Sequence, residues 1–198
     1  MKKAMHLATL AMGMAAAIAP TPSSAKAPEG LHWETLDLMA FAFDAPGYEA
    51  TPAAKDLARS IWGKTMDSFP PFAPNRKWPV FVIQKVVETP AKRYLFSSMN
   101  AAASAYPSCE DPPNSSAPDT PIYAKCPMRV IVLDKATGKS AEEQFKGYCN
   151  ITTNDREQPK TRNYAQVAVD TRTNTAYYRV VQYGKPAPEC DRTIRLPR

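Results

Sequence analysis

Histidine and glycine are both scarce in this sequence of 198 residues, with two histidines and seven glycines. A Ser-His-Asp relay would have to use His32, because His6 lies in an N-terminal leader, and no serine sits in a G-x-S-x-G elbow. We expect His32 to be a surface residue beside Trp33. The H-E-x-x-H metal motif is missing, and so few glycines could hardly build a phosphate-binding loop. The sequence predicts no catalytic residue, no metal site and no cofactor, and the balance is against an enzyme.

Long apolar runs are also missing, apart from one near the N-terminus. Leu7–Ala19 carries no charge, follows the basic residues Lys2 and Lys3, and precedes a stretch of small residues. This order is typical of a cleaved secretory signal peptide, which we assign to residues 1–25. The run is too short to cross a bilayer, which takes roughly 20 apolar residues. We therefore expect export, and no transmembrane segment after the leader is removed.

Two cleavage positions fit the preference of signal peptidases for small residues, one after Ala25 and one after Ala27. Cutting after Ala27 would leave Pro28 at the cut, where its fixed φ and missing N–H suit a protease badly. Cleavage after Ala25 is therefore favoured, and the mature chain begins at Lys26. No cysteine lies near the cut, so we expect a soluble periplasmic or secreted protein rather than a lipoprotein.

Charge and proline content bound the mature chain, residues 26–198, which is long enough for one domain with a hydrophobic core. The leader removes two lysines and no acid, so the net charge falls from +6 to +4. That charge is too small and too scattered for a nucleic-acid-binding protein. Proline is abundant, with 20 in the full chain against an average usage of about 5%. This composition favours rigid extended connections over long helices.

The mature chain has an even number of cysteines, which are Cys109, Cys126, Cys149 and Cys190. In an exported protein this count predicts two disulfides, and three pairings are open. We favour Cys109–Cys126, which would clamp a proline-rich loop at residues 106–127. The second pair would then be Cys149–Cys190, which would tie the C-terminal tail to a strand. The spacings do not match a zinc site, which usually has close Cys-x-x-Cys pairs.

One helix is predicted over residues 52–69, where apolar side chains recur at spacings of three and four. Thr51 is a suitable N-cap, and Pro52 can take the first helical position because its missing N–H costs nothing there. Pro70 and Pro71 end the helix.

After Lys77 the apolar pattern changes from helical to strand periodicity. The predicted strands are Pro79–Val87, residues 92–98, Met128–Asp134, Glu142–Ile151, Asn163–Asp170 and Thr175–Tyr183. The whole predicts an α+β fold, in which the N-terminal helix packs on an antiparallel β-meander of about five to six strands stapled by disulfides. One face of this sheet would pack on the helix and the other would stay free.

The last two strands can be placed in register, with residues 171–174 as their loop. If Asp170 pairs with Thr175, one face carries only apolar or aromatic side chains. The pairs on that face are Val169 with Ala176, Val167 with Tyr178, and Ala165 with Val180. The pairs on the other face are Ala168 with Tyr177, Gln166 with Arg179, and Tyr164 with Val181. A slip of one residue would mix the two faces, so this register is the specific prediction.

The exposed side of this hairpin is the candidate binding site. Its members are Tyr164, Gln166, Tyr177 and Arg179. Tyrosine and arginine are enriched at binding hot spots. Ordinary cross-strand pairing on a half-exposed sheet would place the same residue types there.

Three functional hypotheses remain. The preferred one is a non-catalytic exported protein that binds a protein or an envelope polymer, as an inhibitor, an immunity factor or an assembly accessory. The second is a secreted hydrolase of wall or glycan substrates that uses carboxylates such as Glu110, Asp111 or Glu142. Glu142 and Glu143 cannot form the pair alone, because neighbours on a strand point to opposite faces. The third is a structural or adhesive surface protein that docks through a sheet edge.

The signal-peptide assignment predicts that the exported protein begins at Lys26. N-terminal sequencing of the protein recovered from the periplasm of a Gram-negative host, expressed with its own leader, measures this directly. A chain that keeps Met1 would contradict the assignment, and a chain that begins at Pro28 would move the cut to the alternative position.

Overall fold

Two antiparallel sheets and one α-helix form the computed structural model, which describes residues 27–41, 50–74, 76–101, 105–110, 123–151 and 162–198. The elements in chain order are β1 (Glu34–Thr35), β2 (Asp37–Phe41), α1 (Pro52–Asp67), β3 (Val80–Glu88), β4 (Lys92–Ala101), β5 (Tyr123–Asp134), β6 (Ser140–Ile151), β7 (Tyr164–Asp170), β8 (Thr175–Gln182), β9 (Lys185–Pro186), a 3₁₀ turn (Pro188–Cys190) and β10 (Arg192–Arg195). The predicted signal peptide, residues 1–25, lies outside the described residues.

Helix α1 begins at Pro52, as its sequence predicts. The hydroxyl of Thr51 caps it by accepting a hydrogen bond from the backbone N–H of Ala54 at 3.2 Å. The helix ends at Asp67, two residues before the predicted end, and Ser68 forms its C-cap. The overall fold is β-rich, and this is the one α-helix among the described residues.

The strands form two sheets rather than one. In the large sheet β2, β3, β4, β5 and β6 lie side by side in chain order, whereas the small sheet has the order β1, β7, β8 and β10, with β9 added to β8. The large sheet is an antiparallel meander of five strands with α1 packed on it, as predicted, but the last two predicted strands lie in a second sheet, so the prediction of a single sheet with one free face is wrong. Both faces of the large sheet are apolar, with Phe96 packed toward the small sheet and Met99 toward α1, so neither can be left in water.

The two sheets are joined at Cys149, in the centre of their shared core. Cys149 on β6 is bonded to Cys190, which precedes β10, so this disulfide links the large sheet to the small one. The phenol of Tyr178 on β8 donates a hydrogen bond to the backbone oxygen of Cys149. The Tyr178 ring also contacts Tyr148 edge to face, with ring centroids 5.4 Å apart. Covalent, polar and aromatic contacts therefore coincide at one buried point.

The other disulfide joins Cys109 to Cys126, so both favoured pairings are confirmed. Beside it, the backbones of Glu110 and Lys125 exchange two hydrogen bonds of 2.9 Å. The predicted loop at residues 106–127 is too long at its C-terminal end, because β5 already begins at Tyr123. Proline and polar residues had hidden this strand start; the loop's middle, residues 111–122, lies outside the described residues.

Trp62 anchors α1 to the large sheet. Its Nε1 donates to Ser97 Oγ at 2.8 Å, and Ser97 Oγ donates to Gln84 Oε1 at 3.3 Å. The guanidinium of Arg129 lies over the Trp62 ring, 5.2 Å from its centroid, and donates to the backbone oxygen of Ile61. Because these polar groups lie under the helix, they pair with one another rather than with water.

The buried phenol of Tyr178 predicts that the protein loses stability in alkali. Burial raises the pKa of Tyr178 above the ordinary tyrosine value of about 10. Above that pH the unfolded chain releases a proton that the folded chain keeps, so the free energy of unfolding falls as pH rises, by up to about 1.4 kcal/mol per pH unit for this group. Tyr178→Phe should therefore flatten the decline between about pH 10 and pH 11.5, measured by urea unfolding.

Part of the decline should persist in this variant, since burial also raises the pKa of Tyr148, and burial with a hydrogen bond to Glu189 raises that of Tyr123 to about 12. The matched control is Val180→Ala, which removes buried volume from the same side of β8 and keeps every phenol. It should lower stability equally at all pH values. An identical pH slope in wild type and Tyr178→Phe would show that the Tyr178 phenol is not linked to folding.

Candidate functional site

The last hairpin has the predicted register over its whole length. Seven pairs run from Tyr164 opposite Val181 to Asp170 opposite Thr175. Asn174, the last residue of the loop, has a φ of +52°, a left-handed conformation that asparagine tolerates better than most residues. The side chains predicted to face inward are buried, apart from Val169, which is partly buried against the core. The alternation along two strands therefore predicted correctly which face is outside.

The four candidate binding residues lie on that outer side of the small sheet, and each is half-buried. Gln166 and Arg179 are opposite one another, and the Arg179 Nε donates to the Gln166 Oε1 at 2.9 Å. Tyr177 lies opposite Ala168, and Tyr164 lies opposite Val181. The structure thus brings the four onto one surface, with Gln166 and Arg179 in direct contact.

Strand β1 and the residue before it add two members of this surface that the sequence did not indicate. Glu34 pairs with Val167 and Thr35 with Gln166, which places Trp33 and Thr35 on the same outer side. The side-chain Nε2 of Gln166 donates to Thr35 Oγ1 at 3.1 Å. We use the name "outer face" for the surface formed by Trp33, Thr35, Tyr164, Gln166, Tyr177 and Arg179. Strand β1 has only two residues, too few to show a period, so nothing local indicated its partner.

The centre of the outer face is a stack of Arg179 on Trp33. The guanidinium carbon lies 3.9 Å from the centroid of the indole ring, well within cation–π range. The hydrogen bond from Nε to Gln166 holds the guanidinium in its plane. Two strands and the residue before a third therefore fix one arginine: β8 supplies it, β7 holds it through Gln166, and Trp33, just before β1, stacks on its guanidinium.

Arg179 keeps hydrogen-bonding capacity that the described part of the chain does not use. Within the described ranges no carboxylate lies within 4.0 Å of it, and its two terminal nitrogens have no acceptor. Arg179 influences the pKa of an acid, Asp191. Burial raises the pKa of Asp191, whereas the positive charges of Arg179 and Arg192 act to lower it. The arrangement can bind an acceptor, such as a carboxylate, between aromatic side chains.

His32 lies beside the outer face and is a surface residue, as expected. Its side chain is 85% exposed, and its Nε2 lies 3.2 Å from an oxygen of Glu34. The other oxygen of Glu34 lies 3.3 Å from the Lys85 Nζ. Glu34 is thus shared between a histidine and a lysine, and it connects the rim of the small sheet to the large sheet.

Among the described residues, the carboxylates considered for hydrolysis do not lie on the outer face. Glu142 pairs with Arg129, and Glu143 lies next to it on β6, opposite Val130 rather than Ile131, so the two point to opposite faces. Glu110 is exposed, and Asp111 lies outside the described residues. In the part of the chain that the structure describes, no group of three or more His, Cys, Asp or Glu side chains could hold a metal ion.

Comparisons with protein-family models, curated proteins and solved structures found no match to this chain. Among the described residues no helix is both long and apolar enough to span a membrane.

Arg179 should contribute little to folding, because a cation–π contact at an accessible site is worth about 0.5–1 kcal/mol. We expect Arg179→Gln to lower the free energy of unfolding by about 1 kcal/mol or less, measured by urea denaturation. Val180→Ala, from the buried side of the same strand, is the control and should cost more because it opens a cavity. A larger loss from Arg179→Gln than from the control would make Arg179 a structural residue.

Proposed function

We propose that this is a non-catalytic exported protein that binds another protein of the bacterial envelope through its outer face. The observation that supports this most directly is the stack of Arg179 on Trp33, in which an arginine is held in place while its terminal nitrogens stay without a partner in the described chain. Tryptophan, tyrosine and arginine are the residues that most often dominate binding energy at protein interfaces.

Rigidity supports the same proposal. The outer face lies on paired strands, and the inner side of those strands is packed into the core. Its arginine is already ordered by Trp33 and Gln166, so less side-chain entropy would be lost on binding than for a free surface arginine. A face that is ordered before it meets its partner binds more tightly for the same contact area.

The chemistry of the outer face suggests the chemistry of the partner. A carboxylate would satisfy both terminal nitrogens of Arg179 in a bidentate pair. Apolar side chains beside that carboxylate would cover the rings of Trp33, Tyr164 and Tyr177. The segment best suited to this surface is therefore one that offers a single acid flanked by apolar residues. An inhibitor, an immunity factor and an assembly accessory could each use such a contact.

The compartment belongs to the proposal as well. Two disulfides are typical of proteins that fold in an oxidising environment. Together with the predicted leader at residues 1–25, they support a location in the periplasm or outside the cell. A partner should be sought there rather than in the cytoplasm.

The test compares capture by wild type and by the double variant Tyr177→Ala with Arg179→Ala. The purified proteins are immobilised and exposed to periplasmic extract of the source bacterium, and the retained proteins are identified by mass spectrometry. A partner retained by wild type should be lost from the double variant, because both anchors are removed. The affinity of the identified partner is then measured for both proteins.

The control is Arg93→Ala, which removes an arginine whose side chain is 53% exposed on the large sheet. It should retain the partner as wild type does. Equal retention by the double variant would reject the outer face as the binding site. If the retained protein is a second copy of this chain, the structural or adhesive alternative is favoured instead.

A further inference from the structure

We propose that a cleft at the C-terminal end of α1 binds a small amphipathic anion, with one apolar body and one carboxylate or phosphate head. The cleft has a volume of about 440 Å³, within the range of small-molecule sites. It lies between the end of α1, the segment that leads to β3, and the adjacent edge of the large sheet. It shares no residue with the outer face, so this inference is independent of the proposed function.

The interior of the cleft is apolar. Phe41 and Val80, both buried, belong to the core that α1 shares with the large sheet. Met66, Phe69 and Trp78 complete the apolar lining together with two prolines. A strongly hydrated ion would gain nothing from such a surface, whereas an alkyl or aromatic body would be removed from water.

The charged residues of the cleft are mostly cations. Arg59, Arg76 and Lys77 line it, against a single acid, Asp67. Within the described ranges none of these three cations has a carboxylate within 4.0 Å. Arg59 instead lies over the ring of Phe41, 5.2 Å from its centroid. Unpaired positive charge beside an apolar interior is complementary to an amphipathic anion rather than to a neutral or cationic one.

Backbone hydrogen bonds and a ring contact hold the segment that leads from α1 to β3 in shape. The backbone N–H of Phe72 donates to the oxygen of Arg76 at 3.0 Å, and the N–H of Arg76 donates to the oxygen of Ala73 at 2.9 Å. The rings of Phe72 and Trp78 meet at 4.8 Å nearly edge to face. Prolines on both sides of this turn restrict the chain further. The cleft is therefore preorganised, which lowers the entropic cost of binding.

The test uses monomeric dodecanoate as the anionic probe, with dodecanol and acetate as matched comparators. Binding to the purified protein is measured by calorimetry and by tryptophan fluorescence. Dodecanoate should bind, and dodecanol should bind at least about fivefold more weakly because it lacks the charged head group. Acetate should not bind, because it lacks the apolar body. Binding of dodecanoate should weaken as salt is added, since the cations of the cleft are exposed.

The test variant is Arg76→Ala with Lys77→Ala, which should weaken dodecanoate binding about tenfold. Both side chains are exposed, so the variant should keep its fold, which circular dichroism checks. Lys55→Ala with Arg93→Ala removes the same charge away from the cleft and should bind as wild type does.

Two results would overturn the proposal. Equal affinity for dodecanoate and dodecanol, unchanged in the test variant, would reject a site for anions. If neither dodecanoate nor dodecanol binds, the cleft is rejected as a ligand site. Binding of vesicles of anionic phospholipid in that case would make these cations a membrane-contacting surface instead. Neither result bears on the partner of the outer face, because Tyr177 and Arg179 are unchanged in every variant used.

Discussion

The hydrogen bond from Tyr178 to the backbone of Cys149, together with the Cys149–Cys190 disulfide, joins the two sheets of this protein. Neither sheet could stand alone, because each has an apolar face that must be covered. A crosslink between β6 and the 3₁₀ turn before β10, whose cysteines are 41 residues apart, also restricts the unfolded chain, by an amount worth about 4 kcal/mol in the loop-entropy view. The pairing of the sheets therefore depends on one buried point that combines three kinds of interaction.

The position of the outer face follows from that buried point. Side chains alternate along a strand, so seating Tyr178 and Val180 in the core puts Tyr177 and Arg179 outside. Strand β1 then pairs with the free edge of β7 and brings Trp33 under Arg179. The surface that we propose as a binding site is thus the reverse side of strands whose inner side chains are buried in the core, and its arginine is held in place by Trp33 and Gln166.

What could be predicted from the sequence was local. The start of α1 follows from Thr51 and Pro52, and the register of the last hairpin follows from alternation across one short loop. The disulfide pairs were predicted from what each would clamp. The division into two sheets was not predictable in this way, because it depends on two-residue and four-residue strands, β1 and β10, that show no period.

The same distinction between local and long-range contacts applies to the candidate site. Tyr164, Gln166, Tyr177 and Arg179 lie on one hairpin, where the distance along the chain is short and the pattern is visible. Thr35 contacts Gln166 across 131 residues of sequence, and no pattern in one sequence reports such a contact. The start of β5 at Tyr123 was missed for a related reason, since Pro127 interrupts the strand pattern and lies at a bulge between Cys126 and Met128.

The order of the layers separates the two surfaces proposed here. The outer face belongs to the small sheet, whereas the cleft lies between α1 and the large sheet, with the whole inter-sheet core between them. Close packing makes such a core resist deformation. A partner on the outer face and a small anion in the cleft can therefore be bound at the same time. Coupling between the two sites would need a large sheet that can adopt two arrangements. The hydrogen bonds that join Trp62, Ser97 and Gln84 lie on one face of that sheet, and the contacts of Cys149 lie on the other. Both sets of contacts hold the sheet in a single arrangement.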